Sequence, residues 1–334
     1  MFSVKYIRGY LRAKHKAHNK AKEYTMFKEV LQAITQYDVI IIHRHTKPDG
    51  DAMGSQIGLK GILQANFPHK SIYAVGEINE RYAFIGDMDE IDDELYKGAL
   101  AIILDLSAPN LVSDERYKLA DKTIRIDHHI YIDKFTDIEV INSSYESCAG
   151  LIAEFARECG LTVTKQAATA LYTGMTTDSG RFRYDSVSAN TFAIASFLMQ
   201  AGVDLNDVYP NLYQDDFDNI RLRASFILKI QFTPKNVAYI YTTKEEMDKL
   251  NKDVFSISRG MVSTMADLKG VDIWVNFTET DASVLCEIRS SKYNINPVAV
   301  KYGGGGHTKA SGATLKDKSE AISMLSDLND MIGD

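Results

Sequence analysis

Four short apolar runs frame this chain, and three of them lead directly into acidic or imidazole side chains. The runs are DVIII (38–42), SIYAV (71–75), LAIIL (100–104) and KTIRI (122–126). Each is too short for a helix of its own, and each predicts a buried strand. Helical patterns separate or follow them at 52–67, 147–159, 164–177 and 188–202, the last ending at Gly202. Strand–helix alternation of this kind predicts an α/β fold with a mostly parallel sheet and helices on both faces. Residues 206–229 are polar and helical in pattern and fit a connector. Beyond it, NVAYIYT (236–242), VDIWVNFT (271–278) and SVLCEIR (283–289) begin a second, smaller α/β domain. The expected organisation is therefore a basic extension (1–25), a larger α/β domain (26–205), a helical linker (206–230) and a second domain (231–334). A cleft is expected between the two domains.

Composition narrows the function. No apolar run approaches the roughly 18 residues of a membrane span. The three cysteines, Cys148, Cys159 and Cys286, are too scattered for a disulfide framework or a thiolate metal site and read as free thiols in a reducing cytoplasm. Charge is uneven. Residues 1–25 carry seven Lys or Arg against Glu23, whereas the other 309 residues carry 31 basic and 44 acidic groups. Proteins that grip long nucleic acid neutralise many phosphates, so an acidic body argues against such a partner. It leaves room for a small anionic substrate held by a local site. The basic leader lacks the apolar core of a secretory signal and reads as an appended tail. Met26 opens an amphipathic stretch and offers an alternative start.

Chemistry concentrates after the strands. HRHTKPDGD (43–51) follows the first, Asp105 ends the third, and Asp127-His128-His129 ends the fourth. In an open α/β sheet ligands bind at the carboxyl ends of strands, so these clusters are expected at one edge. A fourth cluster, TTDSGRFRY (176–184), places Asp178 in a loop after a helix. Singly, an Asp at a strand end is often only a cap or turn former, and His43 reads as structural. Together, gathered carboxylates repel one another unless cations neutralise them. Asp and His without thiolates suit hard-to-borderline divalent ions, and imidazole favours Mn²⁺ over Mg²⁺. Such a site can hold two ions about 3.5–4 Å apart and activate water for attack on phosphorus. Near the C-terminus, Asn296-Pro297 predicts an N-cap and first turn, with a short helix ending at Gly303. The glycines 303–306 would let backbone N–H groups approach an anion, helped by Arg289 and His307.

HTKPDGDAMGS (45–55), Asp105, DHH (127–129) and the Asp178 segment resemble the four motifs of the DHH phosphoesterase family. EIRSSKYNINPVAVKYGGGGHTKASGA (287–313) resembles the motif of the DHH-associated domain, type 1. The resemblance covers about residues 26–334 and is strongest to short oligoribonucleases that also dephosphorylate 3′-phosphoadenosine 5′-phosphate (pAp). It implies one metal on His45, Asp49 and Asp105 and another on Asp51, Asp105, His128 and Asp178, with Asp105 bridging. It implies that Asp127 orients an imidazole and that His129 faces the substrate phosphate. It places Arg289, Ser290, Gly303, Gly304, Gly305, Gly306 and His307 at the nucleotide end away from the metals. Catalysis would then rest on Asp105, His129 and Asp127.

One segment departs from the pattern. Many relatives read Asp-Thr-Ala-Asn with an Arg soon after; here Asp105 is followed by Leu106, Ser107 and Ala108, and Leu111 stands at the Arg position. A polar group and a cation are lost, while every metal ligand remains. Arg181 and Arg183 are candidates for replacement charge. The expected activity is cytoplasmic, Mn²⁺-dependent hydrolysis of two- to five-nucleotide RNA to 5′-mononucleotides, with Mg²⁺ or Co²⁺ as substitute ions and a homodimer compatible. The alternatives are hydrolysis of pApA or cyclic-di-AMP, or of pAp or inorganic polyphosphate. A non-catalytic nucleotide sensor would be favoured by a lost metal ligand, and none is lost.

Overall fold

The computed structural model describes residues 27–333, so the basic segment 1–25 and the start at Met26 lie outside the described residues. The chain divides after Gln214 into two compact units.

In the first unit, helix α1 (Lys28–Gln36) leads into strand β1 (Val39–His43). Then come α2 (Gly50–Asn66), β2 (Ser71–Ala74), β3 (Leu100–Leu104), β4 (Lys122–Asp127) and β5 (Ile138–Ile141). Helices α3 (Cys148–Cys159), α4 (Lys165–Asp178), α5 (Ala189–Gln200) and α6 (Leu205–Tyr213) complete it. The helices start where the sequence supplies caps. Ser147, Thr164 and Ser188 each accept a backbone N–H from the first turn of α3, α4 and α5. The five strands are all parallel, in the order β2-β1-β3-β4-β5. Successive connections from β1 therefore run first to one side and then to the other, and a crevice opens where they part. Register pairs His43 with Ile103 and Leu104 with Ile126. His45, Asp105 and His128 thus leave the sheet at one edge, within two residues of their strand ends.

The two faces of this sheet differ. Ile40, Ile42, Leu100, Ile102, Leu104, Ile124 and Ile126 share one core with side chains of all six α-helices. The alternate residues Ile41, Ala101 and Ile103 meet Tyr96, Leu106 and Tyr117 instead. Tyr96 and Tyr117 come from 3₁₀ turns at Asp93–Tyr96 and Glu115–Leu119. Helices on both faces were expected; among the described residues the second face is covered by 3₁₀ turns and loops and by no α-helix. Its connections, broken by Gly76, Gly86, Gly98 and Pro109, carry no apolar period long enough for an α-helix. On the helical face α2 and α4 pack unusually closely. A Cβ at Gly54 would come within 2.5 Å of the Ala170 carbonyl oxygen, which explains a glycine inside a 17-residue helix.

The stretch read as a connector contains two helices, one in each unit. Val208 and Leu212 of α6 belong to the first core. Phe226 of α7 (Phe217–Ile227) belongs to the second unit. There β6 (Gln231–Phe232), β7 (Ala238–Thr242), α8 (Lys244–Leu250), α9 (Val254–Val262), β8 (Ile273–Glu279) and β9 (Val284–Ser290) follow. The unit ends with α10 (Asn296–Lys301), β10 (Gly305–Gly306), β11 (Ala310–Leu315) and α11 (Lys318–Asp330). Its sheet runs β10-β11-β9-β8-β7-β6 and is antiparallel except between β7 and β8. Among the described residues no helix is long and apolar enough to cross a membrane.

Candidate metal centre and a second cavity

At the carboxyl edge of the first sheet, a cavity of about 260 Å³ is lined by His45, Asp49, Asp105, His128, His129 and Asp178, with Thr46, Leu106, Ser107 and Leu111. Each ligand is held by a different local device. Asp49 caps α2, its Oδ1 accepting the N–H groups of Asp51 and Ala52 at 3.0 Å. Asp51 sits in the first turn of α2 and is buried. Its two oxygens accept the N–H groups of Cys148 and Ala149 at 2.7 and 2.8 Å, so the amino end of α3 grips it. Gly174 makes this possible, since a Cβ there would lie 2.9 Å from Asp51 Oδ1 and 2.6 Å from the Ala149 methyl. Asp105 follows β3 in a left-handed conformation, φ +59°. Asp178 is the last residue of α4 and not, as expected, in a loop after it.

The imidazoles are oriented from behind. His45 Nδ1 lies 2.7 Å from the Thr46 carbonyl and must donate to it. Its Nε2 is thereby free to face Asp105 at 3.5 Å and Asp49 at 3.8 Å. His128 Nδ1 faces the Tyr145 carbonyl at 3.3 Å. Its Nε2 points at Asp178, Asp105 and Asp51, at 3.4, 3.5 and 3.8 Å. His129 Nδ1 is held by Asp127 Oδ1 at 2.7 Å, so the imidazole that Asp127 orients is that of His129. His43 is buried in the other face, beside Tyr96 and Tyr117.

The cluster is short of positive charge. Burial and the charges of Asp105, Asp178 and Asp49 push the Asp51 carboxyl well above its ordinary range. Burial, with Asp105 and Asp49, raises Asp178 to about 6. The bond to Asp127 raises His129 to about 9. Burial works against protonation of His45, yet its bonds to Asp105 and Asp49 raise it to about 10. Buried Asp105 Oδ1 has no hydrogen-bond partner. Donor atoms of His45, Asp49 and Asp105 lie within 4.8 Å of one another, as do those of Asp51, His128 and Asp178 and those of Asp105, His128 and His129. An orphaned carboxylate oxygen among converging oxygen and nitrogen donors fits divalent cations.

The second unit holds a cavity of about 580 Å³ lined by Arg289, Gly303–Gly306 and His307. Ser290 does not line it. Its hydroxyl donates to the Asp272 carbonyl and accepts the N–H groups of Lys292 and Tyr293. It ties a turn and faces no ligand space. The glycine run is only partly free for an anion. Gly303, at φ +75°, and Gly304 donate to the carbonyls of Val300 and Ala299 and close α10. Gly304 also lies against the Gly312 carbonyl, leaving no room for a Cβ. Gly305 and Gly306 form β10 and pair with Gly312 and Ser311 of β11. Asn296 is the first helical residue and not the cap, and its amide donates to the Gly306 carbonyl at 2.7 Å.

Phe255 and Arg259 of α9 also line this cavity, and sequence reasoning missed both. Their signal was an i, i+4 pair on a short helix, visible only as an exposed aromatic beside a cation. In the first unit the missed feature is the grip of α3 on Asp51. Arg181 lies over the Tyr213 ring at 3.8 Å, and neither it nor Arg183 lines the first cavity.

Residues 39–175 match the DHH family, N-terminal domain, and residues 237–334 match the DHHA1 domain. The chain is 33% identical over 303 residues to the bifunctional oligoribonuclease and PAP phosphatase NrnA of Bacillus subtilis, covering 90% of this chain and 96% of that one. It is 26% identical to the cyclic-di-AMP phosphodiesterase PdeA of Listeria monocytogenes, over 86% of this chain and 46% of that protein. An exopolyphosphatase-related protein from Bacteroides fragilis superposes with a TM-score of 0.80 at 26% identity, over 91% of this chain and 95% of that one.

Proposed function

The chain belongs to the DHH family of phosphoesterases, and from that premise we propose that it is a divalent-metal-dependent phosphodiesterase that cuts two- to five-nucleotide RNA to 5′-mononucleotides. The observation that carries this reading is the cluster of Asp and His donors at the sheet edge, together with a separate cavity in the second unit lined by arginines, His307 and glycine backbone. His45, Asp49 and Asp105 would hold one cation, and Asp51, Asp105, His128 and Asp178 the other, Mn²⁺ by preference. When bound, the ions supply Lewis-acid charge at phosphorus and lower the pKa of the attacking water. Asp127 keeps a proton on His129 Nδ1, so Nε2 is presented to a phosphate oxygen. Arg289 and His307 bind the nucleotide end that is not being cut. Asp105, His129 and Asp127 then form the catalytic set.

The acidic body supports short substrates, because each added nucleotide brings charge without a matching cation. Free cysteines, two of them buried, suit a reducing cytoplasm. A second reading, hydrolysis of the dinucleotide pApA or of cyclic-di-AMP, is favoured by the likeness to the Listeria enzyme; pAp hydrolysis is favoured by the Bacillus one. One panel tests all of these: Mn²⁺-loaded protein against 5′-phosphorylated RNA of two to twenty nucleotides, pApA, pAp, cyclic-di-AMP and pyrophosphate. Fastest turnover of dinucleotides, falling with length, is expected. A flat or rising length dependence would replace the proposal with a processive exonuclease.

A further inference from the structure

We propose that Phe255 is the surface on which the terminal base of the substrate stacks, that Arg259 is a second cation for its phosphate, and that the cavity therefore ranks purine above pyrimidine nucleotides. The inference rests on the reading of the second cavity as a nucleotide site and adds to it a base-recognition element.

Phe255 is 64% exposed. It lines the 580 Å³ cavity with Ser258, Arg259 and the glycine run. Residues four apart on a helix share a face, so ring and guanidinium are presented side by side. The helix that carries them is fixed. Asp253 caps it through the Ser256 N–H at 2.7 Å. The buried Asn276 of β8 donates its amide to the Ile257 and Ser258 carbonyls at 3.2 and 2.8 Å. An aromatic face on a pinned helix loses little freedom on binding, which is what a stacking surface requires.

Charge in the same cavity is set by three side chains. Arg259 Nε meets Glu287 Oε1 at 3.2 Å, and Arg289 Nη1 meets Glu287 Oε2 at 3.1 Å. Two guanidiniums on one carboxylate leave one surplus positive charge beside His307. That suits a single phosphate group rather than a polyphosphate chain. With the phosphate on the arginines, the base of the same nucleotide has Phe255 as the aromatic ring lining the cavity. Recognition by stacking is tolerant of base identity but stronger for the larger purine surface.

The test uses the full chain without added metal and the fluorescent 5′-monophosphate of 2-aminopurine riboside. Binding with quenching is expected. Phe255→Ala should weaken it about five- to 160-fold, the range that loss of a base–aromatic stack covers, and should remove the quench. Phe255→Trp should restore both. Arg259→Gln should weaken binding while the bound probe stays quenched, which separates the phosphate role from the base role. AMP should displace the probe at about one-fifth the UMP concentration or less, and that ratio should fall to near one in Phe255→Ala. Unchanged affinity and quench in Phe255→Ala, or equal competition by AMP and UMP in the unaltered chain, would overturn the inference. Phe255-dependent binding in a protein that hydrolyses none of the esters in the panel would overturn the proposed function and uphold the inference. Dinucleotide hydrolysis with an unchanged KM in Phe255→Ala would do the reverse.

Discussion

The two cavities are opposites in charge and in construction. The first gathers Asp49, Asp105 and Asp178 around three imidazoles, and among the described residues no Lys or Arg lines it. The second sets Arg259, Arg289 and His307 around one carboxylate, Glu287. In the first, side chains hang from the ends of parallel strands and of helices, and several are fixed from behind: Asp49 by its cap, Asp51 by a helix amino end, His45 and His128 by carbonyls, His129 by Asp127. In the second, the backbone itself forms much of the wall. A site that must crowd like charges needs many anchors, because each carboxylate would otherwise turn to water. A site that must admit a ligand needs space and a few cations.

The sharpest way to break this contrast is to remove charge from the first cavity. Asp105→Asn should lower kcat by at least about a thousandfold while leaving mononucleotide binding by the second cavity within about twofold. Kinetics beside a binding titration check it. Dialysis against EDTA should give the same loss, reversed best by Mn²⁺. A large fall in mononucleotide affinity would show that the two sites are not separable.

Second in size is a change that moves a ligand without touching its chemistry. Gly174→Ala should cost about 2 kcal/mol of stability, a usual price for overpacking, and reduce activity about a hundredfold, because the new methyl collides with Asp51 and Ala149. Thermal unfolding and metal titration read the two effects, and unchanged metal affinity would contradict the placement of Asp51. Third, His307→Ala should raise KM about tenfold with kcat within about threefold. A fall in kcat alone would move His307 into the chemical step.

The smallest effect tests the apolar rim. Leu111 lines the first cavity, and its carbonyl accepts the Thr46 N–H at 2.8 Å. Leu111→Arg should shift the ratio of pAp to dinucleotide kcat/KM toward pAp by about fivefold, since a monoester carries an extra charge that the rim leaves unmatched. An unchanged ratio would show that the rim does not read that charge.

Sequence reading served the two regions unequally. The first is written in residues that follow apolar strand runs, so pattern, edge and donor chemistry could be inferred from His45, Asp105 and His128. What stayed hidden was their anchoring. Nothing local in the segment 147–150 says that its N–H groups meet a carboxylate almost a hundred residues earlier. The second region was read from its glycine run, and there the reading overreached. Gly303 and Gly304 serve the end of α10, and Ser290 ties a turn. Phe255 and Arg259 lie about forty-five to fifty residues before the glycine run, on a helix whose exposure only the fold reveals. The missing helices on one face of the first sheet have the same origin: alternation gives the order of strands but not what covers each side.

Asp105 adopts a backbone shape that most side chains resist, at a cost of about 1–2 kcal/mol. Aspartate and asparagine meet that demand more easily than alanine, which has no polar group to bond locally. Replacement by alanine would therefore mix lost charge with lost backbone fit, whereas asparagine isolates the charge. Aspartate and asparagine codons differ by one base. Under the proposed function, one inherited base change at this position would thus give a chain expected to keep its fold and its nucleotide site and to lose hydrolysis. In lineage terms, that proposal makes the step from an enzyme to a receptor for the same molecule a single mutation long.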